Sequence, residues 1–496
     1  MPKRLTPRLT ELQVEIEGYA RDYGLEPFSQ IFEVVTYEEM NMVAAYGGFP
    51  KRYPHWRFGM EYERLSKSYA YGLSKIYELV INNDPCYAYL LDTNSDVDSK
   101  TVMAHVYGHN DFFKNNFSFA HTNRKMLDAM GNHSTRVRRL IDKHGIEAVE
   151  TFIDRCYSLE NLIDPHSPFI RRVAAESDET EASPRDPIHK LKVEREYMSG
   201  YINPEAFIAE QRERAKVERE QARRFPPEPR RDVLHFLLAH APLEPWELDL
   251  LEIIREEAYY FAPQGQTKIL NEGWATYWHS KIMTQRAVRD DEIIDYANAH
   301  AGVLATSGRQ LNPYKLGLEL LRDIEHRWDT GRFGKEFDEC RDMAERRNWN
   351  RQLGLGREKL FEVRKHYNDV TFIDAFLTPE FCIDQKLFTF EWKEKGDRWE
   401  IVTRAFREVK QKLLGMLTNF GQPIIEVLDG NHENRGELLL VHRHEGVDLK
   451  QDHAHDTLEN LAALWRRPVH LHTLVDEKGM LLSFDGREHA EKALEF

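Results

Sequence analysis

The chain has 496 residues, 41% hydrophobic and 30% charged, with 83 acidic side chains against 68 basic ones and a formal net charge of −15. That is enough apolar material for a large core, and two domains are expected. The acidic balance lacks the basic footprint of a general nucleic-acid binder, and no run of about 18 apolar residues offers a membrane span.

The N-terminus, MPKRLTPRLTELQVEIEGYARDYG, begins basic but meets acids before any apolar block, so no secretory signal is expected. In FGMEYERLSKSYAYGLSKIYELVINN, Phe58, Tyr62, Leu65, Tyr69, Leu73, Ile76 and Val80 recur at spacings of three and four. This predicts one face of a long amphipathic helix. NNDP breaks the pattern, and CYAYLLD, Cys86 to Asp92, reads as a strand. TNSDVDSK then supplies an N-cap for a helix over TVMAHVYGHNDFFKNN.

Helical spacing resumes from about Asn123 to Leu162. The acidic, proline-containing AAESDETEASPRDPIHK, about residues 175–190, reads as a solvated loop. NPEAFIAEQRERAKVEREQARRFPPEPRRD reads as a charged helix ended by prolines. Two helices around a proline-rich turn follow from Asp232 to Ile254, and helices continue to about Lys365. Residues 1–365 are thus expected to form a mainly helical domain.

After Asp384 the texture changes. KLFTFEWK, PIIEVLDGNH, GELLLVHRHEG, PVHLHTLVD and MLLSFDG read as strands, with helices over VTRAFREVKQKLLGMLTNF and TLENLAALWRR. The order β-α-β-β-α-β-β over 384–496 describes a small α+β domain. Cys86, Cys156, Cys340 and Cys382 form no CxxC pair, which points to reduced thiols in a cytoplasm and away from a cysteine zinc site.

His105 and His109 stand four apart on the predicted helix. That places both imidazoles on one face, with Cβ atoms roughly 5–6 Å apart, and lets them chelate one ion. A packed pair of histidines would show the same spacing. A third ligand must come from elsewhere, and TKILNEGWATYWHSKIM offers Glu272, a carboxylate in an aromatic helix that is costly to bury unless paired or ligating. His279, two turns further on and about 10 Å along the axis, suits a supporting or transition-state contact. In the HExxH helix of zinc proteases the residue after the first histidine is the general base. Here it is Val106, which moves no protons. Glu256, Glu257 and Asp111 are the acids considered in its place, with Glu257 taken as the catalytic candidate and Asp111 the poorest, since it points about 200° away from His109. The i, i+2 pairs His442/His444 and His453/His455 read more simply as a solvated sheet face.

PHWRFGMEYE, AHVYGHNDFFKNN, REEAYYFAPQGQTKILNEGWATYWHSKIM and AHDTLENLAALW resemble the stage V sporulation protein R (SpoVR) family, over nearly the whole chain. The resemblance implies a cytoplasmic protein linked to spore cortex formation or stress physiology. It also implies as partners a serine protein kinase and a protein with a von Willebrand-type domain. It brings no settled reaction. A weaker resemblance is to gluzincin metallopeptidases, where a strand, an HExxH helix and a later "NE" helix build the site. Carried over, it makes His105, His109 and Glu272 the metal ligands and implies a zincin-like helical domain. Three readings stay open: a hydrolase of amide bonds using zinc or another divalent metal, a non-haem iron enzyme, and a non-catalytic metal-binding regulator of the kinase.

Overall fold

The computed structural model describes residues 4–70, 78–170, 204–211, 225–305, 311–393 and 398–494. The expected acidic loop at about 175–190 and most of the charged helix after residue 203 lie outside them. The chain divides into two compact units, Met1–Glu150 with Tyr259–Gln422, and Thr151–Ala258 with Pro423–Phe496. It is mainly helical, with a small sheet domain at its C-terminal end. Among the described residues no helix is long and apolar enough to cross a membrane.

In the first unit, β1 (Gln30–Val35), β2 (Leu79–Ile81) and β3 (Cys86–Leu91) form a sheet with β3 at its centre, parallel to β1 and antiparallel to β2. The strand expected from Cys86 is present; β1 and β2 are additional. The long helix expected from Phe58 to Val80 is corrected in its last part. A helix runs over Trp56–Ala70, but Leu79 and Val80 pair with Tyr89 and Ala88 as strand. Helical spacing is a local signal. A ladder to a buried central strand, made by Leu79, Val80 and Ile81, outweighs it.

Two buried helices carry the residues of interest. The histidine helix, Asp96–Asn115, starts at Ser95 with a capping box: Ser95 Oγ accepts from the Asp98 amide and the Asp98 carboxylate accepts from the Ser95 amide. The glutamate helix, Lys268–Ile282, has no cap from Thr267. Its first amides are satisfied instead by Asp369, whose carboxylate accepts from Ile269 and Leu270, both at 2.8 Å. Both helices are enclosed on nearly every side, as helices inside a core are.

Glycines set how closely these helices approach. A Cβ on Gly108 would lie 2.6 Å from Ala275 Cα, and one on Gly273 would lie 2.4 Å from the carbonyl carbon of Gly317 on the helix Pro313–Thr330. The glutamate helix is therefore gripped at the backbone from two sides. Asp111 fastens the histidine helix to other segments. Its carboxylate accepts from the Glu26 amide at 2.7 Å, Trp274 Nε1 at 2.9 Å and Arg364 Nη1 at 2.7 Å.

From residue 384 onward the observed order is β-β-α-β-β-α-β-β-β, two strands richer than expected. The additions are β5 (Arg398–Thr403), paired with β4 (Thr389–Lys393), and β10 (His489–Ala493). The β4–β5 hairpin and the helix Phe406–Leu417 fall within the first unit. The C-terminal sheet runs β10-β9-β8-β7-β6, with β6 Ile424–His432, β7 Glu437–Arg443, β8 Val469–Val475 and β9 Lys478–Phe484. Only β7 and β8 are parallel, joined through the helix Gln451–Trp465, so a β-α-β crossover sits inside an otherwise antiparallel sheet. His453 and His455 lie on that helix, so their i, i+2 spacing separates them rather than aligning them.

Candidate metal centre

One turn of the histidine helix brings the rings of His105 and His109 to 4.6 Å between centroids. The backbone contact at Gly108 sets the glutamate helix alongside, and Glu272 Oε2 lies 3.5 Å from His105 Nε2 and 3.3 Å from His109 Nε2. The three expected ligands therefore converge, although more than 160 residues separate Glu272 from the histidines in sequence.

A fourth group joins them from the lead-in to β2. Glu78 Oε1 is 3.0 Å from His105 Nε2 and 3.9 Å from His109 Nε2. Donor atoms of Glu78, His105, His109 and Glu272 all lie within 4.8 Å of one another. Metal–nitrogen and metal–oxygen bonds of about 2.0–2.1 Å arranged tetrahedrally imply donor separations of roughly 3.3 Å, close to those seen. Among the described residues, His105 Nε2 and Glu272 Oε2 are buried and make no well-aligned hydrogen bond, meeting the cluster's opposite charges only as ion-pair contacts. Buried polar atoms are seldom left so, and these two aim at one point. The donor set fits a divalent cation.

The outward nitrogens are matched. His109 Nδ1 is 2.9 Å from Asn271 Oδ1 and His105 Nδ1 is 2.8 Å from His279 Nδ1. Lys268 Nζ donates to Glu272 Oε1 at 2.6 Å, and Tyr314, on the helix Pro313–Thr330, bears on the same carboxylate.

Electrostatics follow from four ionisable groups in one buried space. Burial resists charge on the histidines, but Glu78 and Glu272 outweigh it and raise both, His109 to about 10. Burial likewise resists charge on the two glutamates, and the imidazoles outweigh it and hold both carboxyls below their ordinary range. Protons and a cation thus compete for the same nitrogens. His279 shifts the other way. Burial first, then neighbouring His105 and His300, push it well below the usual imidazole value, so it stays neutral.

Val106 packs into the hydrophobic core and is fully enclosed there. The position after the first histidine is thus spent on core packing, not on proton transfer. Glu257 is buried on the helix Pro245–Gln266, belongs to the second unit and is not one of the four converging groups. His279 contacts His105 rather than the cluster's carboxylates. Glu78, Tyr314 and His300 were not among the sequence candidates. Glu78 was hidden by the helical spacing that continues to Val80, and an acid preceding a three-residue strand forms no motif.

Fold and donor set together define a mainly helical protein with a buried histidine–carboxylate cluster suited to a metal ion. Residues 4–422 match the family model described as SpoVR like protein, and residues 423–476 match that of the SpoVR-like C-terminal domain. The chain belongs to the SpoVR family. It is 30% identical over 462 residues, 87% of this chain and 84% of the relative, to a protein of Escherichia coli (strain K12) named "Uncharacterized protein YcgB". No solved structure matches.

Proposed function

We propose that His105, His109 and Glu272 hold a divalent cation and that Glu78 acts as general base in hydrolysis of an amide, in a peptide or a cell-wall precursor. The observation that carries this reading is the placement of Glu78. It supplies a second acid at the centre where Val106 has none. The two glutamates are not equivalent. Glu272 is nearly equidistant from both imidazoles, is held by Lys268 and is 7% exposed at its side chain, as a ligand should be. Glu78 is unevenly placed, at 3.0 and 3.9 Å, and 20% exposed, as suits a group that takes a proton and passes it on. A divalent ion held by His105, His109 and Glu272 would supply Lewis acidity at the centre. Glu78 Oε1 would accept a proton there, and Lys268 and Tyr314 keep the Glu272 carboxylate in place.

The mutual closeness of all four donors favours a second reading, a closed four-ligand site without catalysis. That would suit a regulatory protein acting with the serine protein kinase and the von Willebrand-type protein that the family resemblance implies. Two histidines with carboxylates also suit iron. The substitution Glu78→Gln separates the first two. If Glu78 is a base, the variant keeps one metal ion per chain by mass spectrometry and turns over peptide or muropeptide amides on the order of 10²–10⁴-fold more slowly. If Glu78 is a ligand, the variant loses the ion. The same measurement on protein grown without added metal distinguishes zinc from iron. A family role in sporulation or stress physiology, in the cytoplasm, is consistent with either reading.

A further inference from the structure

The two histidines of the centre are oriented by different partners, and the difference has a mechanical meaning. For Nε2 to offer its lone pair to a cation, Nδ1 must carry the proton and needs an acceptor. His109 has Asn271 Oδ1, an amide oxygen that only accepts, at 2.9 Å. His105 has His279 Nδ1, at 2.8 Å. An imidazole nitrogen accepts only if its ring carries the proton on the other nitrogen. His279 Nε2 then donates, and His300 Nδ1 lies 3.1 Å from it. One set of tautomers satisfies the whole chain: His105 protonated at Nδ1, and His279 and His300 each protonated at Nε2.

His300 does not touch the centre. It sits, partly exposed, on the helix Ile293–Leu304, stacked on Tyr296 with ring planes 20° apart. The residue before that helix, Glu292, pairs with Lys100 Nζ of the histidine helix at 2.8 and 3.0 Å, and both side chains are buried. Between the end of the glutamate helix and this one lies a π-turn, Met283–Ala287, whose Ala287 carbonyl accepts from the same Lys100 at 3.0 Å. The helix Ile293–Leu304 is thus joined to the histidine helix twice, once by an ion pair near its start and once through His279.

We propose that His279 and His300 are positioning residues, and that the helix Ile293–Leu304 sets the metal affinity of the centre by fixing the tautomer and ring orientation of His105. This inference rests on the reading of His105 as a ligand. It adds to that reading a positioning element that lies outside the centre. Asn271 ends its chain at an amide, so His109 is fixed locally. His105 is fixed through a neighbour whose own proton depends on a third ring.

Full-length protein is titrated with Zn²⁺ against a chromophoric chelator, and with Co²⁺ while its visible ligand-field bands are recorded. His279→Leu, which cannot accept, weakens Zn²⁺ binding by on the order of 10–100-fold and alters the Co²⁺ bands. His279→Asn, which offers an amide oxygen as Asn271 does, returns affinity to near the parent value. His300→Ala weakens binding in the parent but has no further effect in the His279→Asn background, because the chain then ends at residue 279. Unchanged affinity in both His279→Leu and His300→Ala overturns the relay while leaving the centre intact. Equal losses in His279→Leu and His279→Asn also overturn it, since the acceptor would not matter. Absence of Zn²⁺ binding by the parent protein removes the centre and the relay together.

Discussion

On the C-terminal sheet, His470 is matched at both ring nitrogens: Nδ1 lies 2.8 Å from Ser483 Oγ and Nε2 lies 2.8 Å from Glu437 Oε2. Glu437 in turn accepts two bonds from Arg435, at 2.6 and 2.8 Å. His442 Nδ1 meets Thr473 Oγ1, and His444 Nε2 meets Asp448. The centre in the first unit uses the same residue types differently. Its Nδ1 atoms are matched outward, while the inward nitrogens of His105 and His109 converge with two carboxylates, all four donors within 4.8 Å of one another. Histidines near glutamates therefore do not mark a site by themselves. Several buried donors converging on one point do.

Replacing His105 and His109 together by alanine should break that contrast most completely. On the proposed metal reading, this variant binds no stoichiometric metal where the parent does, whereas the paired replacement of His442 and His470 leaves metal content as in the parent; mass spectrometry of purified protein decides. Next in size is the helix contact. Gly273→Ala drives a methyl into the Gly317 backbone, where neither helix can yield cheaply, and should cost about 3 kcal/mol in urea unfolding. Gly415, in the helix Phe406–Leu417, has open space where its Cβ would be, so Gly415→Ala should be neutral or gain roughly 0.5–1 kcal/mol.

Lys100→Met leaves the buried Glu292 with only the exposed Arg289, at 3.0 Å, as its cationic partner, a loss of about 2 kcal/mol near neutral pH. Burial raises the Glu292 carboxyl, but Lys100 and neighbouring groups outweigh it and lower its pKa in the folded parent. Its stabilisation is therefore present above the unfolded value and is lost as pH falls through the folded value. The gap between parent and variant should narrow on acidification, and a constant gap would contradict the pairing. The smallest effect belongs to the sheet. Arg435 first, and His470 with it, hold Glu437 at about 2 against the opposing effect of burial, so its contribution fades from about pH 4.5 down towards 2. With Arg435 half exposed to solvent, that contribution is the smallest of the set. Glu437→Gln should remove that acid dependence from the sheet's unfolding.

Local order explains what the sequence disclosed. Histidines four apart on a capped helix, the strand before them and an acid in an aromatic helix are all short-range patterns, and they locate three of the four converging groups. Glu78 escapes because its neighbours keep helical spacing while β3, a partner later in the chain, claims them as strand. His300 escapes because a ring that orients another ring leaves no periodicity. The second unit's composition, from Thr151–Ala258 and Pro423–Phe496, is likewise a matter of long-range contact. Asp111 is the reverse case: its angle on the helix excluded it as a ligand, and the structure uses it as a tie among Glu26, Trp274 and Arg364.

The contacts at Gly108 and Gly273 act as a spacing gauge. Because main chain meets main chain there, the gap between the imidazole pair and the Glu272 carboxylate is set by the thickness of a polypeptide, before any ion arrives. On the proposed metal reading, little ordering entropy is then left to lose on capture. A spacing fixed in advance should favour cations of one radius, and changes to the surrounding side chains should alter access without widening the gap.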